Sequence, residues 1–212
     1  MGIERHFTED ARARVAEAVR RAESLSRGQI VPVVVEKSDP YPEARYRGAL
    51  LAAAAVTAAV VALHVPLTLA ELPLVQLAAG IVGALVAGWD PVERRLAGAR
   101  AMDEAVRARA TRAFHEHGLH RTVEGTGVLV FASLFEHEAV VLGDRGIHEK
   151  MGADWDKAVA ALVDGMRAGD PGKGFVDAVA VCGARLAEHF PRDPSLHPSR
   201  NELEDQIRAS RT

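Results

Sequence analysis

The stretch GALLAAAAVTAAVVALHVPLTLAELPLVQLAAGIVGALVAGW, residues 48–89, runs for 42 residues with a single charged side chain, Glu71. Over the whole chain 26% of residues are charged, so an uncharged run of this length predicts a transmembrane helical hairpin. It divides at His64-Val65-Pro66 into residues 48–65 and 72–89, each 18 residues without a charge. That is near the lower limit for crossing a hydrocarbon core of about 30 Å at about 1.5 Å per helical residue. The competing reading is a buried helical hairpin of a soluble protein, because Ala52 to Ala55, Ala58 and Ala59 make the first span only moderately apolar.

Two crossings place residues 1–47 and 90–212 on one side of the bilayer, and together they are long enough for one compact domain with its own core. Arg45 and Arg47 precede the first span and Arg94, Arg95 and Arg100 follow the second, whereas the connection from His64 to Glu71 has no Lys or Arg. The positive-inside rule then predicts a multi-pass protein of the bacterial inner membrane with both termini and the soluble part in the cytoplasm. Met1 to Asp10 is polar and charged, unlike a cleavable signal, and Met1 to His6 lacks the Ser or Thr of a myristoylation site. The expected order is 1–47, the first part of an α/β domain; 48–89, the hairpin; 90–190, the rest of the domain; and 191–212, a tail.

A formal charge of −3, with no basic stretch carrying stacking aromatics, gives no reason to expect nucleic acid as a partner. The one cysteine, Cys182, cannot form an internal disulfide. It falls on the apolar face of a predicted helix with Phe175, Val179 and Leu186, which reads as a packed thiol rather than a nucleophile.

Local signals order the soluble part. Thr8 caps a helix whose apolar positions Ala11, Val15, Ala18, Ala22 and Leu25 recur at helical spacing. Gln29 to Glu36 is a β-branched strand in which Pro32 argues for an edge or a bulge. Asp90-Pro91 starts a helix that continues to about Gly118. Gly127 to Phe135 and Glu138 to Gly143 form an antiparallel hairpin turning at Glu136-His137. Asp154 caps a helix burying Trp155, Val159, Leu162 and Met166, and another runs from Pro171 to Phe190. Beyond Pro191 an irregular tail is expected, with Asn201-Glu202-Leu203 docking on the domain. Helix, strand, membrane hairpin, helix, strand, strand, helix, helix implies a small sheet covered by helices.

In their order, these segments resemble the TPM domain family, which includes thylakoid-lumen proteins of photosystem II maintenance and many bacterial membrane proteins. The resemblance rests on Phe7-Thr8, on Ser26-Arg27-Gly28-Gln29-Ile30-Val31 and on His117 to Thr122. It is strongest at Gly127-Val128-Leu129-Val130-Phe131 followed by Val140 to Ile147, and Trp155 to Gly165, His189-Phe190-Pro191 and Asn201-Glu202-Leu203 complete it. The family implies an α/β sandwich with a central sheet of about four strands, and some members bind calcium or hydrolyse phosphate esters. The chain departs from the family pattern at Gln29, where an acidic residue is common; at His137, where arginine is; and at Asp144-Arg145-Gly146, in place of Gly-x-Gly.

Asp144, where a strand meets a glycine turn, is the first candidate for a site. With Asp39, at the end of the other strong strand, it offers carboxylate oxygens for a hard cation, Ca²⁺ or Mg²⁺; alternatively, Asp144 and Arg145 cap a short helix starting near Gly146. His115, His117 and His120 lack the spacing of a zinc site and suit a helix C-terminus instead. Ser133 lies within a strand without a nucleophile elbow, and Gly169 to Gly174 is not a phosphate loop. Gly80, Gly83, Ala84, Ala87 and Gly88 predict close helix packing and a homo-oligomer in the membrane. The expected function is a non-catalytic interaction, assembly or maintenance module for a membrane complex, with the lipid bilayer and a protein or second copy as partners. The alternative is a metal-dependent phosphatase of the TPM family.

Overall fold

The computed structural model describes residues 7–122, 124–192 and 208–210. The chain divides into two compact units, residues 1–38 with 104–212, and residues 39–103. The first unit is a mixed α/β sandwich. Its helices are α1 (Glu9–Leu25), α5 (Ala99–Glu116, whose first turn belongs to the second unit), α6 (Arg145–Met151), α7 (Asp154–Arg167) and α8 (Pro171–His189). Its strands are β1 (Gln29–Val35), β2 (Gly127–Ser133), β3 (Glu138–Gly143) and β4 (Arg208–Ser210), in the order β3-β2-β1-β4. The second unit holds α2 (Pro42–Ala62), α3 (Glu71–Ala87) and α4 (Asp90–Ala97).

β1 runs parallel to β2, with Gln29 opposite Gly127 and Val35 opposite Ser133, and β3 returns antiparallel on the other side of β2. Alternation along the strands gives each face its own core. Ile30, Val34, Val128, Val130 and Ala132 pack under α1, α6, α7 and α8, where Val15, Val19, Ile147, Leu162, Phe175 and Leu186 meet them. Val31, Val33, Val35, Leu129 and Phe131 pack on the opposite face against Val106, Ala110 and Phe114 of α5. Every residue of β1 and β2 is buried, which is why both read as continuous apolar runs. α1 and α8 lie side by side in the same direction. A Cβ at Gly172 would stand 2.9 Å from the Ala11 methyl, and one at Gly183 would stand 2.6 Å from that of Ala22.

Four local expectations change. The helix expected from Asp90 to Gly118 breaks at Gly98, whose φ of +86° is open to glycine and strained for other residues, giving α4 and α5. Asp154 is the first residue of α7 rather than its cap, and its nearly buried carboxylate pairs with Arg185 and, at 2.6 Å, with Lys157. The region after Pro191 is not wholly irregular, because β4 pairs in parallel with Val33 to Val35 and flanks β1 there. Pro32, which lacks an amide donor, lies outside that ladder while still opposite Val130 of β2. Asn201-Glu202-Leu203 lies outside the described residues. Cys182 is fully buried in the core with Phe175, Val179 and Leu186, and burial pushes its thiol up to about 12.

Hydrogen bonds from Lys157 and Arg185 hold the Asp154 carboxyl below its ordinary range, against the opposing effect of burial. A carboxyl depressed in the folded state contributes stability above its unfolded value, near pH 4, that is lost as pH falls through its folded value. The urea midpoint of Asp154→Asn should therefore lie below that of wild type at neutral pH, and the two should converge in acid. A gap that stays constant with pH would show that the ion pairs are not its cause.

Candidate functional site

The second unit is built around contact between two backbones. α2 begins with Pro42 in its first turn, after Tyr41 in the left-handed region and an Asx turn in which Asp39 Oδ1 accepts the Tyr41 amide at 3.0 Å. α2 and α3 then meet at Gly48 and Gly83. A Cβ on Gly48 would stand 2.4 Å from the Ala87 methyl, and one on Gly83 would stand 2.4 Å from the Gly48 carbonyl oxygen and 2.5 Å from the Ala52 methyl. Small residues at such a crossing allow dense van der Waals packing, the chief attraction between helices where solvent is apolar. Gly83 and Ala87 thus pack within the hairpin. Gly80 and Ala84 line an open groove instead, and a Cβ on Gly88 would stand 3.5 Å from the Arg45 guanidinium. Gly48, the partner that completes the seam, was legible only as the edge of the uncharged run.

Polar groups inside the hairpin are satisfied by one another. Gln76 donates to Thr57 Oγ1 at 2.7 Å, and Thr57 donates to the Ala53 carbonyl at 2.8 Å. Glu71, the one charge of the run, accepts both the amide and the hydroxyl of Thr68 at 2.8 Å, while the Thr68 carbonyl accepts the Glu71 and Leu72 amides. These bonds tie the Glu71 side chain back over the turn that leads into α3, whose N-cap is Ala70. Outward, the hairpin is apolar. Apart from Leu25, every exposed large apolar side chain among the described residues falls between Tyr46 and Trp89, and Leu69 reaches 94% exposure.

The two helices are not equivalent. α2, with 21 residues or about 32 Å of helix, is long and apolar enough to cross a membrane. α3, with 17 residues, reaches that measure only together with α4, across a bend of 99°. Around this bend lie Trp89 and Tyr46, both exposed, and the arginines. Arg47 donates to the Leu96 and Ala97 carbonyls and so caps the C-terminus of α4. Arg94 and Arg95 stand in the last turn of α4, and Arg100 lies just beyond Gly98.

The two aspartates are not brought together. Asp144 follows Gly143, which pairs with Val128 at the start of β2. Asp39 follows Ser38, whose hydroxyl donates to Ser133 at the other end of β2 at 3.0 Å. Strands of six and seven residues set these ends about 20 Å apart. Each carboxylate serves backbone instead: Asp144 caps α6, accepting the Arg145 amide at 2.7 Å, and Asp39 closes the turn before α2. Among the described residues, no three His, Cys, Asp or Glu side chains converge as metal ligands do. His115 and His120 stack at 5.0 Å, whereas His117 is engaged by Arg208 of β4 at 2.9 Å. Burial, then the Arg208 charge, pushes the His117 imidazole below its ordinary value. Ser133 is fully buried and donates to Glu136, whose other oxygen accepts the Ser38 amide at 3.0 Å. This is a buried polar tie between strand ends. The spacing Ser133 to Glu136 was visible in the sequence, but Ser38, the remote third member, carried no signal.

No protein-family profile matches the chain, and no curated protein does. Among solved structures, the chain is similar to the NMR structure of BA42 protein from the psychrophilic bacterium Bizionia argentinensis, with a TM-score of 0.59 and 20% identity over 98% of each chain. At that identity the likeness is one of fold.

Two glycines one turn apart separate the seam from the groove. Gly83→Val should lower the melting temperature of the detergent-solubilised chain, by overpacking of about 1–3 kcal/mol, while Gly80→Val should melt within error of wild type, since a Cβ at Gly80 approaches only the Ala49 carbonyl, at 3.7 Å. Equal melting of both variants would refute the seam.

Proposed function

We propose that the chain is a bacterial inner-membrane protein of the TPM type, anchored by the α2–α3 hairpin, whose α/β unit serves a membrane complex as a non-catalytic assembly or maintenance module. The observation that carries this reading is the distribution of exposed apolar side chains. Leu50, Leu51, Val61, Leu74, Leu77, Ile81, Val82 and Leu85 point outward on both helices of one hairpin, whereas the α/β unit among the described residues exposes Leu25 alone of that class. An apolar surface of that extent is stable in lipid or against another protein, not in water. Support for the orientation comes from the arginines at the base of the hairpin and their absence from residues 63–70.

Support for the TPM resemblance comes from the order of its segments and from a four-stranded sheet with helices on both faces. The metal-dependent phosphatase alternative draws less support, because Asp39 and Asp144 stand at opposite ends of the sheet and each binds backbone.

The anchor is tested by washing membranes with alkaline carbonate: the chain should stay in the pellet, and release into the supernatant would refute it. The assembly role is tested by light scattering of the digitonin-solubilised chain. A particle heavier than one chain with its micelle is expected; a monomer in every mild detergent would defeat that part of the reading.

A further inference from the structure

The face of the hairpin beside the glycine seam is not filled. A groove of about 650 Å³ runs between α2 and α3, floored by Ala49, Ala53, Gly80 and Ala84, with Arg45 and Tyr46 at the end where α2 begins. Most of the lining is apolar; Gln76, which donates to Thr57, is the polar residue toward the far end, and the one cation, Arg45, stands where α2 begins. From Arg45 to Ala53 the floor is about 12 Å long, comparable with one leaflet of a hydrocarbon core, about 15 Å. Arg45 is exposed and forms no ion pair among the described residues. Tyr46, also exposed, is a residue type that settles at the headgroup level of a bilayer.

We infer that this groove binds a single anionic phospholipid, one acyl chain lying on the alanine and glycine floor and the headgroup phosphate meeting Arg45. The inference rests on the membrane reading above and adds to it a specific lipid. Chemical complementarity selects the occupant: an open, largely apolar groove with one guanidinium at its end matches an acyl chain ending in one phosphate. A second copy of the hairpin matches it less well. Two copies inserted in the same sense are related by an axis along the membrane normal, which brings the two Arg45 side chains to the same depth and sets like charges beside the shared groove.

The full chain would be reconstituted into vesicles of phosphatidylcholine and phosphatidylglycerol in equal parts, re-extracted in mild detergent and weighed by native mass spectrometry. Wild type should retain one phosphatidylglycerol in preference to phosphatidylcholine. Arg45→Ala should lower that retention about fivefold, the factor corresponding to one headgroup cation. Gly80→Ile, which fills the floor without touching the seam, should remove the adduct, and Arg95→Ala, outside the groove lining, should leave it unchanged. All variants should float with the vesicles as wild type does, which shows that they insert. Flotation without a selective adduct, an adduct indifferent to Arg45→Ala and Gly80→Ile, or a lipid-free dimer would overturn the lipid site while leaving the anchor standing. Failure of wild type to float would overturn the anchor, and the lipid site with it.

Discussion

Parallel pairing of β1 with β2 is the constraint on which the α/β unit depends. Antiparallel neighbours can be joined by a two-residue turn, but parallel ones require a crossover that carries the chain back to the starting end of the sheet. Val35 and Ser133 finish side by side, so everything between residues 36 and 126 belongs to that crossover. Its last helix, α5, covers the sheet face formed by Val31, Val33 and Phe131. The crossover thus supplies half of the sandwich, and the hairpin is an insertion into it. Both faces of β1 and β2 are thereby buried, and the β-branched content of these strands follows from that burial rather than from backbone preference alone.

Within the hairpin the ordering principle changes from burial to proximity. Contact between Gly48 and Gly83 and the Gln76–Thr57 hydrogen bond join the helices through close backbone approach and a polar tie rather than through large side chains. Beside the seam, Ala49, Ala53, Gly80 and Ala84 are too small to fill the neighbouring face, which stays open.

Signals confined to a few neighbouring residues were legible in the sequence. Thr8 capping α1, the β-branched runs, the β2–β3 hairpin and the uncharged stretch all announce themselves locally. What depends on a remote partner did not. β4 is three residues long, Arg208-Ala209-Ser210, and joins β1 by backbone pairing that carries no apolar pattern. The separation of Asp39 from Asp144 is a property of strand direction, and neither aspartate's surroundings reveal it. Gly98 was overlooked because a single glycine in a helical pattern is tolerable by composition, and only its positive φ marks the break. Of the candidate sites, the arginine flank and the small residues of α3 were readable, whereas the groove beside them required knowing which glycine faces the neighbouring helix.

The burial of Cys182 has a practical side. Its sulfur is fully enclosed between α8 and the sheet, and at neutral pH it is a thiol almost without thiolate, so alkylating reagents and spin labels find neither access nor a nucleophile there. The wild-type chain is in effect a blank background for site-directed labelling: a cysteine introduced on an exposed position of either unit would be the one to react, and probes could be walked along the hairpin without first removing a native residue from the core.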